Sequence, residues 1–313
     1  MQDGEVSAHC ASVTKNSPPA AKIALFRSLF RGREDVYPRR FESRRTGKFG
    51  YAPACGNEWI RGVCEKPRIK CTDCPNRRFL PVTDEVVGWH LSGRDDRGFD
   101  FVMGVYAILQ DETCYFLAMD LDGEEWRTDA AAFMETCRRL EVPAVLERSR
   151  SGNGGHVWFF FEEAISAVLA RKLGSHVLTE TMERRPEIGF DSYDRFFPNQ
   201  DTLPKGGFGN LIALPLQKQA RHHGNTVFLD EQFIPYADQW AYLASGRQMS
   251  RAQVEALVRD AESKGRVLGV RAAIPDEDDD SPLDSPISTS KGTAHSWAVA
   301  GKPPYNPRRS NLH

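Results

Sequence analysis

Apolar positions recur along this chain with two periods, and the change between them marks its organisation. From Ala20 to Phe30, Ile23, Phe26 and Phe30 fall at helical spacing, which predicts an amphipathic helix with a basic outer face. Arg39 to Tyr51 is basic and glycine-containing and reads as loop. A cysteine-bearing segment then runs to Phe79, and a second region begins near Val86. There Val102 to Leu109 and Tyr115 to Leu121 read as strands around a turn at Gln110, Asp111 and Glu112. Glu124 to Leu140 carries Phe133, Met134, Cys137 and Leu140 at the spacing of a core-facing helix, and Pro143 introduces a strand from Ala144 to Glu147. His156 to Phe161 is an aromatic run the length of a buried strand. Ala164 to Thr181 reads as helix, and Asn210 to Leu216 and Thr226 to Leu229 as strands. Ser250 to Lys264 closes the folded part, with Val254, Leu257 and Val258 on one helical face. Strands alternating with helices predict a layered α/β or α+β domain with at least one βαβ unit, its strand order open.

Composition adds limits. With 313 residues and 40% apolar content the chain can bury a sizeable core. No run approaches the roughly 20 apolar residues of a membrane span, and Met1 to Ser17 lacks the apolar stretch of a signal peptide, so a cytoplasmic address is expected. The net charge of −2 gives no reason to expect a polyanionic partner, but its distribution does. Arg31 to Leu80 holds 13 Lys/Arg against 6 Asp/Glu, a segment suited either to phosphate contact or to a solvated basic face. Beyond Pro275 the acids, prolines and serines offer too little apolar surface to offset ordering entropy, which predicts a disordered tail.

Seven cysteines without a signal peptide argue against a disulfide scaffold. Cys55, Cys64, Cys71 and Cys74 cluster instead, with spacings x8, x6 and x2. Four thiolates suit tetrahedral zinc, with Cys71-x2-Cys74 supplying two ligands from one turn; such a closed site serves folding and not catalysis. Lys66, Arg68, Lys70, Arg77 and Arg78 surround the cluster and suit a nucleic-acid backbone.

In Phe116 to Gly123 an apolar strand ends in Asp120-Leu121-Asp122, and alternation puts both carboxylates on one side. Two acids held so close repel unless a cation separates them, and hard oxygen ligands favour Mg²⁺ or Mn²⁺ shared with substrate phosphates. A bare pair of this kind can equally open the loop before a helix. Arg148 to His156 follows, with Ser151, Gly152, Gly154 and Gly155. Glycines let backbone N–H groups approach phosphate oxygens, and serine, arginine and histidine add donors. No Gly-Lys-Ser/Thr follows, so this is not a P-loop, and a plain turn between strands stays open as a reading. Gly189 to Gln200 brings a further acid, Asp191 or Asp194, beside Arg195, Asn199 and Gln200. Three acids plus phosphate oxygens complete the two metal positions used for in-line displacement at phosphorus.

These elements, in this order, resemble the archaeo-eukaryotic primase superfamily, and most closely the primase-polymerase module of TOTE conflict systems. The resemblance spans Ile23 to Arg271 and is carried by Phe30 to Asp35, Cys55 to Trp59 with the other three cysteines, and His90 to Gly93. Phe116 to Asp122, Ser151 to Trp158, Asp194 to Gln200 and Asn210 to Gln217 complete it. It implies an α+β fold: a two-module primase core, one module RRM-like, joined to an N-terminal helix and a four-cysteine zinc module. It implies that Asp120 and Asp122 bind both metals and Asp194 one, and that Ser151 and His156 hold the incoming triphosphate. Arg150, Arg195 and Gln200 are assigned to nucleotide or template contact. The implied activity is template-directed nucleotidyl transfer on single-stranded DNA. The expected organisation is a disordered N-terminus (1–17), helix and basic loop (18–47), zinc module (48–85), catalytic core (86–248), C-terminal helix (249–272) and acidic tail (273–313). Relatives commonly continue into helicase and nuclease regions; this chain has no Walker A pattern, which fits a truncated or split gene, and in that case partners in trans would supply unwinding. A metal-dependent nuclease also needs clustered acids, and a zinc-based adaptor would need no turnover at all.

Overall fold

The computed structural model describes residues 12–43, 46–186, 193–203 and 205–266. In chain order its elements are α1 (Pro19–Leu29), β1 (Pro38–Glu42), β2 (Phe49–Pro53), α2 (Asp84–Ser92), β3 (Gly104–Tyr106), β4 (Thr113–Asp122) and α3 (Trp126–Arg139). Then follow β5 (Val145–Arg148), β6 (Gly154–Ser166), α4 (Ala167–Arg184), β7 (Tyr193–Phe197), β8 (Leu211–Ala213), α5 (Lys218–His222), β9 (Phe228–Leu229), α6 (Gln239–Ser245) and α7 (Arg251–Ser263). Mixed α and β structure is therefore borne out.

The centre is a five-stranded sheet in the order β7-β4-β6-β5-β9, every neighbouring pair antiparallel. Because β4 and β5 both run antiparallel to β6, they are parallel to each other, with β6 inserted between them and α3 as the crossover. The expected βαβ unit is thus a split one, continued through α4 to β7 at the far side of β4.

Strand alternation divides the apolar residues of this sheet between two cores. Leu117, Met119 and Leu121 of β4 and Val157, Phe159 and Phe161 of β6 pack on one face with Phe133 of α3, Leu173 and Val177 of α4, and Val254 and Val258 of α7. Phe116, Ala118, Trp158 and Phe160 face the other way, onto Phe26 and Phe30 of α1, Val86 and Val87 of α2, and Ile212 of β8. Helix α4 lies close to the sheet because Gly174 has no side chain: a Cβ there would sit 2.7 Å from Leu117 and 2.8 Å from Phe196. That contact fixes β7 beside β4.

Several elements depart from the sequence reading. Arg39 to Tyr51, read as loop, is largely the hairpin of β1 and β2, paired from Pro38↔Pro53 to Glu42↔Phe49. A two-stranded ribbon exposed on its edges tolerates the arginines that obscured its pattern. The strand expected over Val102 to Leu109 shortens to Gly104–Tyr106, paired with β8 and not with the central sheet. Ala164 to Ser166, read as helix, extend β6 instead, and Ser166 accepts a hydrogen bond from Leu169 N–H to start α4. α2, β7, α5 and α6 were not foreseen as elements. Of the N-terminal stretch expected to be disordered, residues 12–17 are described: Ser17 N–H donates to the Thr14 carbonyl, and Lys15 N–H donates to Asp238, the N-cap of α6. The acidic tail from Pro275 and Asp191 lie outside the described residues.

Candidate active site

The acidic strand end and the glycine turn meet because β4 and β6 are antiparallel neighbours: the last residues of β4 lie opposite the first residues of β6. Asp120 pairs with His156 and Asp122 with Gly154. Gly154 is required by this closeness, since a Cβ on it would collide with the Asp122 carboxylate and lie 2.5 Å from the Leu121 carbonyl oxygen. The turn itself is the β5–β6 hairpin loop, closed by Ser149 N–H to the Gly154 carbonyl.

Asp194 arrives by a bulge. Met119 pairs with Phe196 but Leu121 with Tyr193, so β7 has one extra residue opposite Asp120. Without it Asp194 would face α4, because Phe196 packs into the helix-side core. The extra residue reverses the alternation, and the β-bulge re-aims the acid. Oxygen atoms of Asp120, Asp122 and Asp194 consequently lie within 4.8 Å of one another, Asp120 buried and the other two exposed. Burial, opposed by His156 and reinforced by Asp122 and Asp194, pushes the Asp120 carboxyl up to about 7. Such a set of hard oxygens under mutual repulsion fits a divalent cation.

His156 faces this trio, with Nε2 3.5 Å from Asp120 Oδ1. Its Nδ1 lies 3.0 Å from Glu147 Oε2, which also accepts from Trp158 Nε1 at 2.8 Å. Burial lowers the His156 pKa, but Glu147, Asp120 and Asp122 outweigh it and push it up to about 9. Glu147 was not singled out from sequence as part of the site. Its signal was an acid at a strand position whose neighbours two residues away, by alternation, share its buried face.

The remaining candidates divide. Ser151 Oγ lies 3.0 Å from Ser149 Oγ and accepts from Asn153 N–H, inside the turn. Arg150 donates to Gln217 Oε1, and Asn225 donates to the Arg150 carbonyl, so the loop around α5 backs the turn. Arg195 pairs with its neighbour Asp194 at 2.8 Å. Gln200 instead donates to the Thr202 carbonyl.

Cys55, Cys64, Cys71 and Cys74 line one small cavity with Glu58 and Lys66. Burial pushes the Cys71 thiol up, against the pull of Lys66. Among the described residues the three-ligand group lying within 4.8 Å is the acid trio; the thiols share a cavity without meeting that distance. Also among the described residues, no helix is long and apolar enough to cross a membrane.

Among curated proteins no sequence matches the chain. A solved structure, the polymerase domain of Mycobacterium tuberculosis Ligase D in complex with DNA, is a distant likeness: 11% identity and a TM-score of 0.36, covering 80% of this chain and 89% of that one. The family model described as "TOTE conflict system, Archaeo-Eukaryotic Primase domain" matches residues 21–257. Since that match takes in well over half of the sequence, the chain belongs to the archaeo-eukaryotic primase domain family of TOTE conflict systems, and membership points to nucleotidyltransferase activity of the primase type.

Proposed function

We propose that the chain is a DNA primase-polymerase, joining nucleoside triphosphates on a single-stranded DNA template with two divalent cations, Mg²⁺ or Mn²⁺. The observation that carries this reading is the convergence of Asp120, Asp122 and Asp194 within 4.8 Å, beside a serine- and glycine-rich turn that ends in His156. Asp120 and Asp122 would hold both cations and Asp194 one of them. Cations bound there supply the positive charge that offsets charge developing at phosphorus. The turn's backbone N–H groups, the Ser151 hydroxyl and His156 Nε2 receive the triphosphate oxygens, and Ser149 orients Ser151. Arg150, within the turn, and Arg195, paired with Asp194, contact nucleotide or template; Gln200 takes that role on the family resemblance alone.

The module β4-α3-β5-β6-α4-β7, with its order β7-β4-β6-β5, supports an RRM-like half of the core. Four soft thiols around one cavity fit a structural zinc ion, held by Cys55, Cys64, Cys71 and Cys74, and the surrounding basic residues suit the template backbone. A helicase acting in trans, with or without an accompanying nuclease, would supply unwinding.

Primer extension on single-stranded DNA with Mg²⁺ or Mn²⁺ tests the assignment. Wild-type protein should yield products and the Asp120→Ala, Asp122→Ala double variant none. Extension that survives the double change, or template cleavage without extension, sinks it. Nucleotide binding lost in His156→Ala separates a polymerase from a nuclease, which has no use for the turn.

A further inference from the structure

We propose that Glu147 is a positioning residue for triphosphate binding: its buried carboxylate grips His156 through Nδ1 so that Nε2 is presented to the reacting end of the site. The inference rests on the nucleotidyltransferase reading given above.

Glu147 is 1% exposed, in the middle of the sheet, between Leu146 and Arg148 on β5. A carboxylate in such a place is costly unless donors replace its water. Its Oε2 has two. Trp158 Nε1 can only donate, so Oε2 accepts there, and an oxygen used as acceptor takes the second hydrogen from His156 Nδ1. With Nδ1 carrying its hydrogen toward Glu147, the ring cannot flip without leaving a buried acceptor unmatched. Nε2 is thereby turned toward Asp120, 3.5 Å away, on the side where the turn and the acids converge.

The indole is fixed in turn. Trp158 is fully buried, with Phe30 and Phe116 rings 5.0 and 5.3 Å from its own and Phe160 stacked at 6.3 Å. Its N–H therefore has one direction. The chain of control runs from the core under α1, through Trp158 and Glu147, to His156. Register supplies the geometry, because Glu147 and Asp120 flank His156 as its cross-strand partners on β5 and β4.

The test compares Glu147→Gln, His156→Ala and the double variant in primer extension, with dATP as the varied nucleotide. Loss of a charge-assisted hydrogen bond should raise the dATP KM about tenfold to a hundredfold in Glu147→Gln with kcat held within about threefold. In the His156→Ala background Glu147→Gln should add nothing, since the path to substrate is already cut. An unchanged KM, or a penalty that adds fully in that background, overturns the proposal. If Glu147→Gln does not fold, Trp158→Phe keeps the carboxylate but removes one anchor and should raise KM by a smaller factor; no rise overturns it. Nitrogen NMR of histidine-labelled, metal-free protein gives a readout free of turnover. His156 Nδ1 should show its proton in wild type, and its resonance should move toward that of a weaker, neutral hydrogen bond in Glu147→Gln; an identical spectrum in both counts against the grip. Wild-type protein that shows no extension yet shows this NMR difference would fail the polymerase reading and keep the positioning role.

Discussion

Replacing Asp120 with asparagine should stabilise the metal-free protein at alkaline pH while abolishing its response to divalent cations. The Asp120 carboxyl moves from its ordinary 3.8 to about 7, mainly through burial. Between those values the folded protein keeps a proton that the unfolded chain has released, so stability falls as pH rises through the window and the full penalty stands above about 7. At ~1.36 kcal/mol per unit the ceiling is about 4 kcal/mol. That value already includes the opposing charge of His156, which lies 3.5 Å from the carboxylate. His156 acts in the same direction: raised from 6.5 to about 9, its contribution is complete below 6.5 and lost as pH rises through about 9. Between about pH 5 and pH 9 the two groups together set a ceiling of about 6 kcal/mol, and at about 2–4 °C per kcal/mol for a domain of this size metal-free wild type should lose on the order of 10–20 °C. Asp120→Asn removes the carboxylate and one of the anions that lift His156, and should flatten that slope. A cation binds the deprotonated acids, so Mn²⁺ should raise the wild-type Tm more at about pH 8 than at about pH 6, and leave the variant unmoved. Thermal melts in EDTA and in Mn²⁺ across pH measure both. An equal pH slope in the two proteins, or an equal Mn²⁺ shift, refutes the reasoning.

Gly154→Ala should push its methyl into the Asp122 carboxylate and cut primer extension at least about tenfold with the circular dichroism spectrum unchanged; wild-type activity would mean the close approach is idle. Cys74→Ser should lower bound zinc, measured by elemental analysis, and reduce Tm, and a zinc content equal to that of wild type would remove the cysteines as its site. Gly174→Val should destabilise the fold by about 1–3 kcal/mol in urea titration, because Leu117 and Phe196 already fill the space above it.

The parts of the site that sequence made legible are those governed by alternation within one strand. Asp120 and Asp122 share a face because they are two apart at the end of an apolar run, and the Ser151 to His156 turn stands out by its glycines. What pattern does not encode is pairing. Asp194 joins the acids through a bulge opposite Asp120, a property of two strands together, whereas the segment's own sequence leaves the choice between Asp191 and Asp194 open. Glu147 escaped for a related reason: its partner His156 is nine residues away in sequence but directly opposite in register. The hairpin of β1 and β2 was hidden by its arginines, which a solvated ribbon accommodates and a buried strand would not.

Register also explains why this end of the sheet is suited to charge. Asp120, His156 and Glu147 form one row across β4, β6 and β5, and the next row on the same face is Phe197, Ala118, Trp158 and Val145, wholly apolar. The apolar row excludes water from one side of the polar one, which strengthens every interaction within it. On the other side Asp122, Asp194 and Ser151 are open to solvent, as the proposed exchange of cations and a triphosphate requires. The whole row is buried, with Glu147 the most buried member at 1% exposure, while Asp122 and Asp194 beside its acidic end are open. Moving a charge one row inward, as in Ala118→Asp, should cost stability without adding a cation site, because no exposed oxygen would lie within reach to complete it.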